Sequence, residues 1–174
     1  YADIYNEAGE WVNFTEDLAV FVSEDGISWA NISDPGLEGG AGLRVALWAR
    51  GITVTGTVCD ENWNCTRHVW NSQNGLTWTR SPLQLGIAEG AMFSMVAGGP
   101  GLIASGSVQD ELSETETGLF WTSADGLTWD LHEADPTVFP EGGGINDFAW
   151  FGNRLIGVGA SPVDHAPAVW IWTP

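Results

Sequence analysis

Three glutamates fall at the same point of a recurring pattern: Glu38 before Gly-Gly, Glu89 before Gly-Ala and Glu141 before Gly-Gly, each a few residues ahead of an apolar run. Carboxylates brought together raise one another's pKa or hold a cation, so the series could supply acid–base or metal-binding chemistry. A position that returns with a repeat serves the frame as readily, by accepting backbone N–H bonds from the following glycine or by staying solvated. The second candidate group is aromatic. Trp11 and Trp63 stand outside the predicted strands with acidic residues beside them, Asp60 and Glu61 in the case of Trp63. An indole flanked by carboxylates stacks on a sugar ring while its neighbours accept hydroxyl hydrogen bonds. The plainer alternative is a Trp folded over its own hairpin.

Other reactive types give less. His68, His132 and His165 show no ligand spacing, and neither a Ser-His-Asp set nor a phosphate-binding glycine loop stands out. Cys59 and Cys65 have five residues between them, too few sulfurs for a metal site without neighbouring His or Cys. They are expected as a disulfide closing the mouth of a hairpin, which points to an oxidising compartment. Two free small residues are the alternative. Sequons at Asn13, Asn31 and Asn64 agree with export to the secreted, periplasmic or cell-surface space.

The chain of 174 residues carries 23 acidic residues against five basic ones, a formal charge of −18. A nucleic-acid or anionic-membrane partner needs a basic footprint, and this composition lacks one. Membrane insertion is not expected, since no apolar run approaches the roughly 18 residues of a spanning helix. The chain opens at Tyr1 without Met, so its beginning carries no reading of export.

The elements that must position these residues follow from a repeat. Ser23-Glu-Asp25-Gly26-Ile-Ser-Trp29 returns as Ser72-Gln-Asn74-Gly75-Leu-Thr-Trp78 and as Ser123-Ala-Asp125-Gly126-Leu-Thr-Trp129, with starts 49 and 51 residues apart. Gly51-Ile-Thr-Val-Thr-Gly56, Gly101-Leu-Ile-Ala-Ser-Gly106 and Arg154-Leu-Ile-Gly-Val-Gly159 recur in phase, as does the glutamate series. Three signatures with one period establish an internal repeat. Each unit parses into four short strands, A to D. The second predicts 43–49, 51–58, 65–71 and 76–80; the third predicts 92–97, 102–108, 118–122 and 127–131; the fourth predicts 145–151, 155–160 and 168–172. Val, Ile, Thr and Trp fill these runs and Gly, Asp, Asn and Pro the joints, with no sustained helical period. The fold class is all-β.

The seven-residue box resembles the Asp-box of sialidase-type β-propellers, the bacterial neuraminidase repeat, in a short Ser-x-Asp-Gly-x-x-Trp form. The resemblance implies a partial propeller of about three and a half four-stranded antiparallel blades, with the boxes joining strands C and D. The blades are expected at 1–33 (without a clear strand A), 38–82, 89–133 and 141–174 (without strand D). Because Trp172-Thr-Pro174 matches Trp121-Thr-Ser123, the chain reads as a piece of a larger ring, its rival being an oligomer that completes the ring from several copies. Ser23, Asp25, Gly26, Trp29, Ser72, Asn74, Gly75, Trp78, Ser123, Asp125, Gly126 and Trp129 are then structural. A calcium ion at the boxes is the alternative, and Asn74 in the middle copy argues against it.

In such a propeller the B–C loops and the D–A connections share the functional face, which places Trp11, Asp60, Glu61, Trp63, Glu38, Glu89 and Glu141 there as candidate ligand contacts. A sialidase-like site would need an arginine cluster, a tyrosine nucleophile and acids. The tyrosines are Tyr1 and Tyr5, Arg50 and Arg154 fall in A–B turns, and Arg44 alone could reach a central pocket. The sequence therefore reads as a non-catalytic segment of an exported Asp-box propeller that binds a glycan or protein ligand. The alternative is part of a sialidase-like or other glycoside hydrolase whose catalytic residues lie mostly outside this segment.

Overall fold

A computed structural model describes residues 2–5, 8–9, 11–15, 17–60, 62, 64–87, 91–99, 101–109, 116–133, 144–161 and 166–173. Two hairpins come first: β1 (Ala2–Tyr5) pairs with β2 (Trp11–Thr15), and β3 (Val20–Val22) pairs with β4 (Ala30–Ile32). A single 3-10 turn, Pro35–Leu37, leads into a four-stranded sheet of β5 (Gly40–Trp48), β6 (Gly51–Cys59), β7 (Cys65–Ser72) and β8 (Thr79–Pro82). The next sheet holds β9 (Ala91–Gly98), β10 (Gly101–Gln109), β11 (Glu116–Ser123) and β12 (Asp130–Glu133). The last holds β13 (Gly144–Phe151), β14 (Arg154–Ala160) and β15 (Pro167–Trp172). Among the described residues, neighbours in sequence are neighbours in each sheet, and no sheet closes on itself. No described helix is long and apolar enough to cross a membrane.

The chain divides into two compact units, Tyr1–Val45 with Arg50–Leu83, and Ala46–Ala49 with Gln84–Pro174. In the first, Leu37, Val54, Trp70 and Trp78 form a buried cluster against which Leu18, Val20, Ile52 and Val58 pack. The fully buried Trp70 satisfies its indole by donating to the Gly36 carbonyl at 2.8 Å. The second unit repeats the device: Trp121, also fully buried, donates to the Leu85 carbonyl at 2.9 Å. There the sheets β9–β12 and β13–β15 are tied by Ser94 Oγ to Asp147 (2.7 Å), Ser105 Oγ to the Ile145 carbonyl (2.9 Å) and Trp150 Nε1 to the Ala97 carbonyl (2.6 Å).

A glycine recurs where one strand crosses another closely. A Cβ at Gly56, Gly106 or Gly159 would run into the carbonyl of Ala41, Ala91 or Gly144 respectively. In two of these places the pairing is displaced, since Ser105 faces Ser94 while Gly106 faces Met92, and Asp147 faces Val158 while Ile145 faces Gly159. One residue of the first strand is left over at each, a β-bulge that brings its backbone down onto the glycine.

The structure corrects three expectations. The first repeat is not one four-stranded blade: β1 and β2 make a separate hairpin, and Trp11, expected outside any strand, opens β2 opposite Tyr5. The fourth strands begin later than expected, at Thr79 and Asp130 in place of 76 and 127. Residues 76–77 and 127–128 have strand-favouring types, but their N–H groups are already bonded to the box side chain, which keeps them in the turn. The first strands begin earlier, at Gly40 and Ala91.

Candidate functional site

The three boxes adopt one hydrogen-bonded turn. Asp25 Oδ1 accepts from the N–H of Ile27 (2.8 Å) and Ser28 (2.7 Å), while Ser23 Oγ accepts from Gly26 N at 2.8 Å. Asn74 Oδ1 does the same for Leu76 (2.8 Å) and Thr77 (3.0 Å), with Ser72 Oγ receiving Gly75 N at 2.8 Å. Asp125 Oδ1 receives Leu127 and Thr128, both at 2.8 Å, and Ser123 Oγ receives Gly126 N at 2.9 Å. Gly26, Gly75 and Gly126 have φ of 73°, 75° and 76°, a left-handed backbone that side chains resist. The neutral amide of Asn74 performs the same task as the carboxylates, so the turn needs an acceptor oxygen and no cation. Among the described residues no group of His, Cys, Asp and Glu is placed to hold a metal ion.

Trp78 and Trp129 are buried and Trp29 is 62 % exposed. Trp78 Nε1 donates to the Gly75 carbonyl at 3.1 Å. The box carboxylates are held as anions. N–H bonds from Ser28 and then Ile27 lower Asp25 from an ordinary 3.8 to about 2. At Asp125 burial acts to raise the pKa, and the bonds from Thr128 and Leu127 together outweigh it.

A pH dependence follows. Because the folded-state pKa of Asp25 lies below the ordinary 3.8, its turn bonds contribute in full above about pH 4 and are lost as pH falls toward 2. Asp25→Asn, which copies Asn74, should keep the turn at pH 7 and flatten the fall of the urea midpoint between about pH 4 and 2. An acid limb of unchanged steepness would refute this cause.

The loop between β6 and β7 is closed by a disulfide, Cys59 to Cys65, with Cα atoms 4.0 Å apart. Inside it the Asp60 carboxylate accepts from Asn62 N (2.9 Å), Asn64 N (2.8 Å) and Asn64 Nδ2 (2.9 Å). The Asn64 amide, first through its side chain and then its backbone, lowers the Asp60 pKa. Asp60 thus shapes its own loop. Glu61 and Trp63 lie outside the described residues.

Glu38 is exposed and follows the 3-10 turn, whose Asp34 caps Gly36 N at 2.8 Å. Its backbone carbonyl receives Arg80 Nη1 at 2.6 Å, and Asp17 Oδ1 receives Gly39 N at 2.9 Å. Asp17, Asn31, Asp34 and Glu38 line a small cleft of ≈ 180 Å³. Asp17 and Asp34 belong to no repeated signature, so no pattern in the chain points to them. Glu89 and Glu141 lie outside the described residues, which leaves the glutamate series represented by Glu38 alone. Burial first, then the charge of Arg80, lowers the pKa of His68, whose Nε2 meets Thr66 Oγ1 at 3.1 Å. His68 is therefore largely neutral at pH 7.

The sheets and turns can be set beside known proteins. Over 98 % of its length the chain superposes on the GH32 beta-fructofuranosidase BmSUC1 of Bombyx mori, with a TM-score of 0.50 and 14 % identity, covering 42 % of that protein. The likeness is one of fold. That enzyme is a propeller-fold glycoside hydrolase, and the present chain spans less than half its length. A Trypanosoma rangeli sialidase in complex with sialic acid is also similar, at 14 % identity and a TM-score of 0.46, over 88 % of this chain and 27 % of that one. No protein-family description matches the sequence, and no curated protein matches it. The chain is thus an all-β protein of propeller-like sheets whose fold is shared with a carbohydrate-active enzyme.

Proposed function

We propose that this chain supplies blades of an Asp-box β-propeller in an exported carbohydrate-active protein of the glycoside-hydrolase kind, with most reacting groups outside these 174 residues. The observation that supports it is one hydrogen-bonded Ser-x-Asp/Asn-Gly turn made three times, on sheets that share a fold with a glycoside hydrolase. The turns act as fasteners between the third and fourth strands of each blade. In this reading the glycan contacts are Glu61 and Trp63 in the disulfide-closed loop, Trp11 at the start of β2, and Glu38, Glu89 and Glu141 ahead of the first strands. Asp60 holds its loop in shape, and the Cys59–Cys65 bridge limits how far that loop can spread.

A second reading, glycan binding without chemistry, has its own support. The described carboxylates with a shifted pKa, Asp25, Asp60 and Asp125, are all shifted downward. A glycosidase acid must instead be raised so that it carries a proton near neutral pH. Probing a glycan array and a set of chromogenic glycosides with the chain separates the readings. Retention of a defined glycan class with no turnover favours the binding role, and turnover favours the hydrolase. If no glycan is retained and no glycoside is cleaved, both fail.

A further inference from the structure

The chain entering the second repeat is held down by two carbonyl bonds. Trp70 Nε1 donates to the Gly36 carbonyl at 2.8 Å, and Arg80 Nη1 donates to the Glu38 carbonyl at 2.6 Å. Both donors belong to one side of the sheet, since Trp70 on β7 and Arg80 on β8 are directly paired. His68 is on that same side. It pairs with Gly56 on β6 and Pro82 on β8, which sets it diagonally next to Arg80. The third repeat fills the same place without charge. Aligning Trp70 with Trp121 puts Leu119 at the place of His68 and Leu131 at that of Arg80. The frame therefore does not require a histidine beside an arginine.

The hydrogen bonds fix which ring nitrogen is basic. Thr66 Oγ1 donates its proton to the Val58 carbonyl at 3.3 Å and so accepts from His68 Nε2 at 3.1 Å. Nδ1 is then the nitrogen that takes up a proton, and it is buried with no hydrogen-bond partner. A proton there creates a second cation beside Arg80 and a buried N–H without an acceptor. On this side β6 brings Val54, Gly56 and Val58, none of which titrates, and β8 brings Arg80 and Pro82. Of the carboxylates at the entry, Asp34 and Asp17 accept from Gly36 N and Gly39 N, and Glu38 is exposed. Burial first and then Arg80 lower the His68 pKa from the ordinary 6.5, outweighing the Ser81 backbone, which acts the other way.

We propose that His68 and Arg80 form a pH-sensitive clasp: a proton taken from solvent by His68 Nδ1 repels the Arg80 guanidinium, withdraws it from the Glu38 carbonyl and frees the segment Glu38–Gly40. Glu38 lines the small cleft with Asp17, so acid loosens one wall of that cleft. Because the folded-state pKa of His68 lies below the ordinary 6.5, the clasp holds in full above that pH and is lost as pH falls through the lower folded-state value. Every group involved lies between Asp17 and Pro82 within one compact unit, and the clasp does not depend on the glycan reading.

Amide hydrogen exchange of this segment in the full chain, read as protection relative to the intrinsic rate at each pH, tests it. Between about pH 7.5 and about pH 5, above the ordinary carboxylate range, wild-type protection should fall about fivefold or more. His68→Leu, which copies Leu119, should keep the clasp and abolish the fall. Arg80→Leu, which copies Leu131, should show the lowered protection already at about pH 7.5, and NMR titration of its His68 ring should give a higher midpoint than wild type. Thermal unfolding checks that both variants are folded. Should either fail to fold, the wild-type chain still decides: protection that does not fall, or a His68 midpoint at or above 6.5, overturns the proposal. So does a fall that persists in His68→Leu, or a midpoint that Arg80→Leu leaves unchanged.

Discussion

Trp121→Ala is expected to lower the unfolding free energy by about 4 kcal/mol, the middle of the range for deleting a large aromatic core side chain. The indole is fully buried, so the truncation leaves a cavity that the paired strands β10 and β11 cannot collapse into without losing register. It also strands the Leu85 carbonyl, which accepts from the indole at 2.9 Å. That carbonyl lies on the connection leading into β9, so the loss loosens the entry to the sheet as well as its centre. Urea unfolding followed by tryptophan fluorescence and far-ultraviolet circular dichroism measures the change. A loss under about 1 kcal/mol would mean that Trp121 is not a core residue.

Gly106→Ala should cost about 3 kcal/mol, although it adds one methyl group. The φ of Gly106 is not among the positive ones, so the cost is steric and not conformational. An added Cβ collides with the carbonyl of Ala91 and approaches Trp121 Cζ3 at 2.9 Å. Neither neighbour can give way, one being backbone at a bulge and the other a buried ring. Gly144→Ala serves as the control, because the nearest atom to its Cβ is the Gly118 Cα at 4.0 Å. The same urea titrations should show the control within about 0.5 kcal/mol of wild type. Equal losses at both positions would show that the close crossing at Gly106 is not the cause.

The frame was more legible than the site because the repeat writes the frame three times. One copy of Ser-x-Asp-Gly is a turn signal, but three copies in phase with a glycine-ended strand fix the order of strands within each sheet. Boundaries were harder. Thr77 and Trp78 have strand-forming side chains, and only the bonds donated by the Leu76 and Thr77 N–H groups to Asn74 Oδ1 show that the backbone is still turning there. The separate β1–β2 hairpin was missed because no second copy of it exists to compare. The glycine recurring in each second strand was visible as a pattern, while its reason, a carbonyl that leaves no room for a Cβ, required the strand crossing to be seen.

Site residues were read less well for a related cause. Ligand contacts break repeat symmetry, so a single Trp63 or Asp60 has no partner copies to give it meaning. Asp60, a candidate ligand contact, also accepts three bonds inside the disulfide-closed turn, a role that no spacing announces. Asp17 joins Glu38 at the small cleft through an isolated bridge between distant segments. No spacing in the sequence announces such a pairing.

The central claim is a division of labour in which boxes hold the sheets and the loop aromatics meet the glycan. It is tested most directly by titrating one retained glycan into Trp63→Ala and Asp125→Ala beside the wild-type chain, with thermal unfolding of each. The account predicts that Trp63→Ala weakens the glycan at least about tenfold while leaving the unfolding temperature unchanged, stacking on a ring being worth more than about 1 kcal/mol. It predicts that Asp125→Ala lowers the unfolding temperature and, below it, binds as wild type does. Weakened binding in the box variant with unchanged binding in Trp63→Ala would contradict the account.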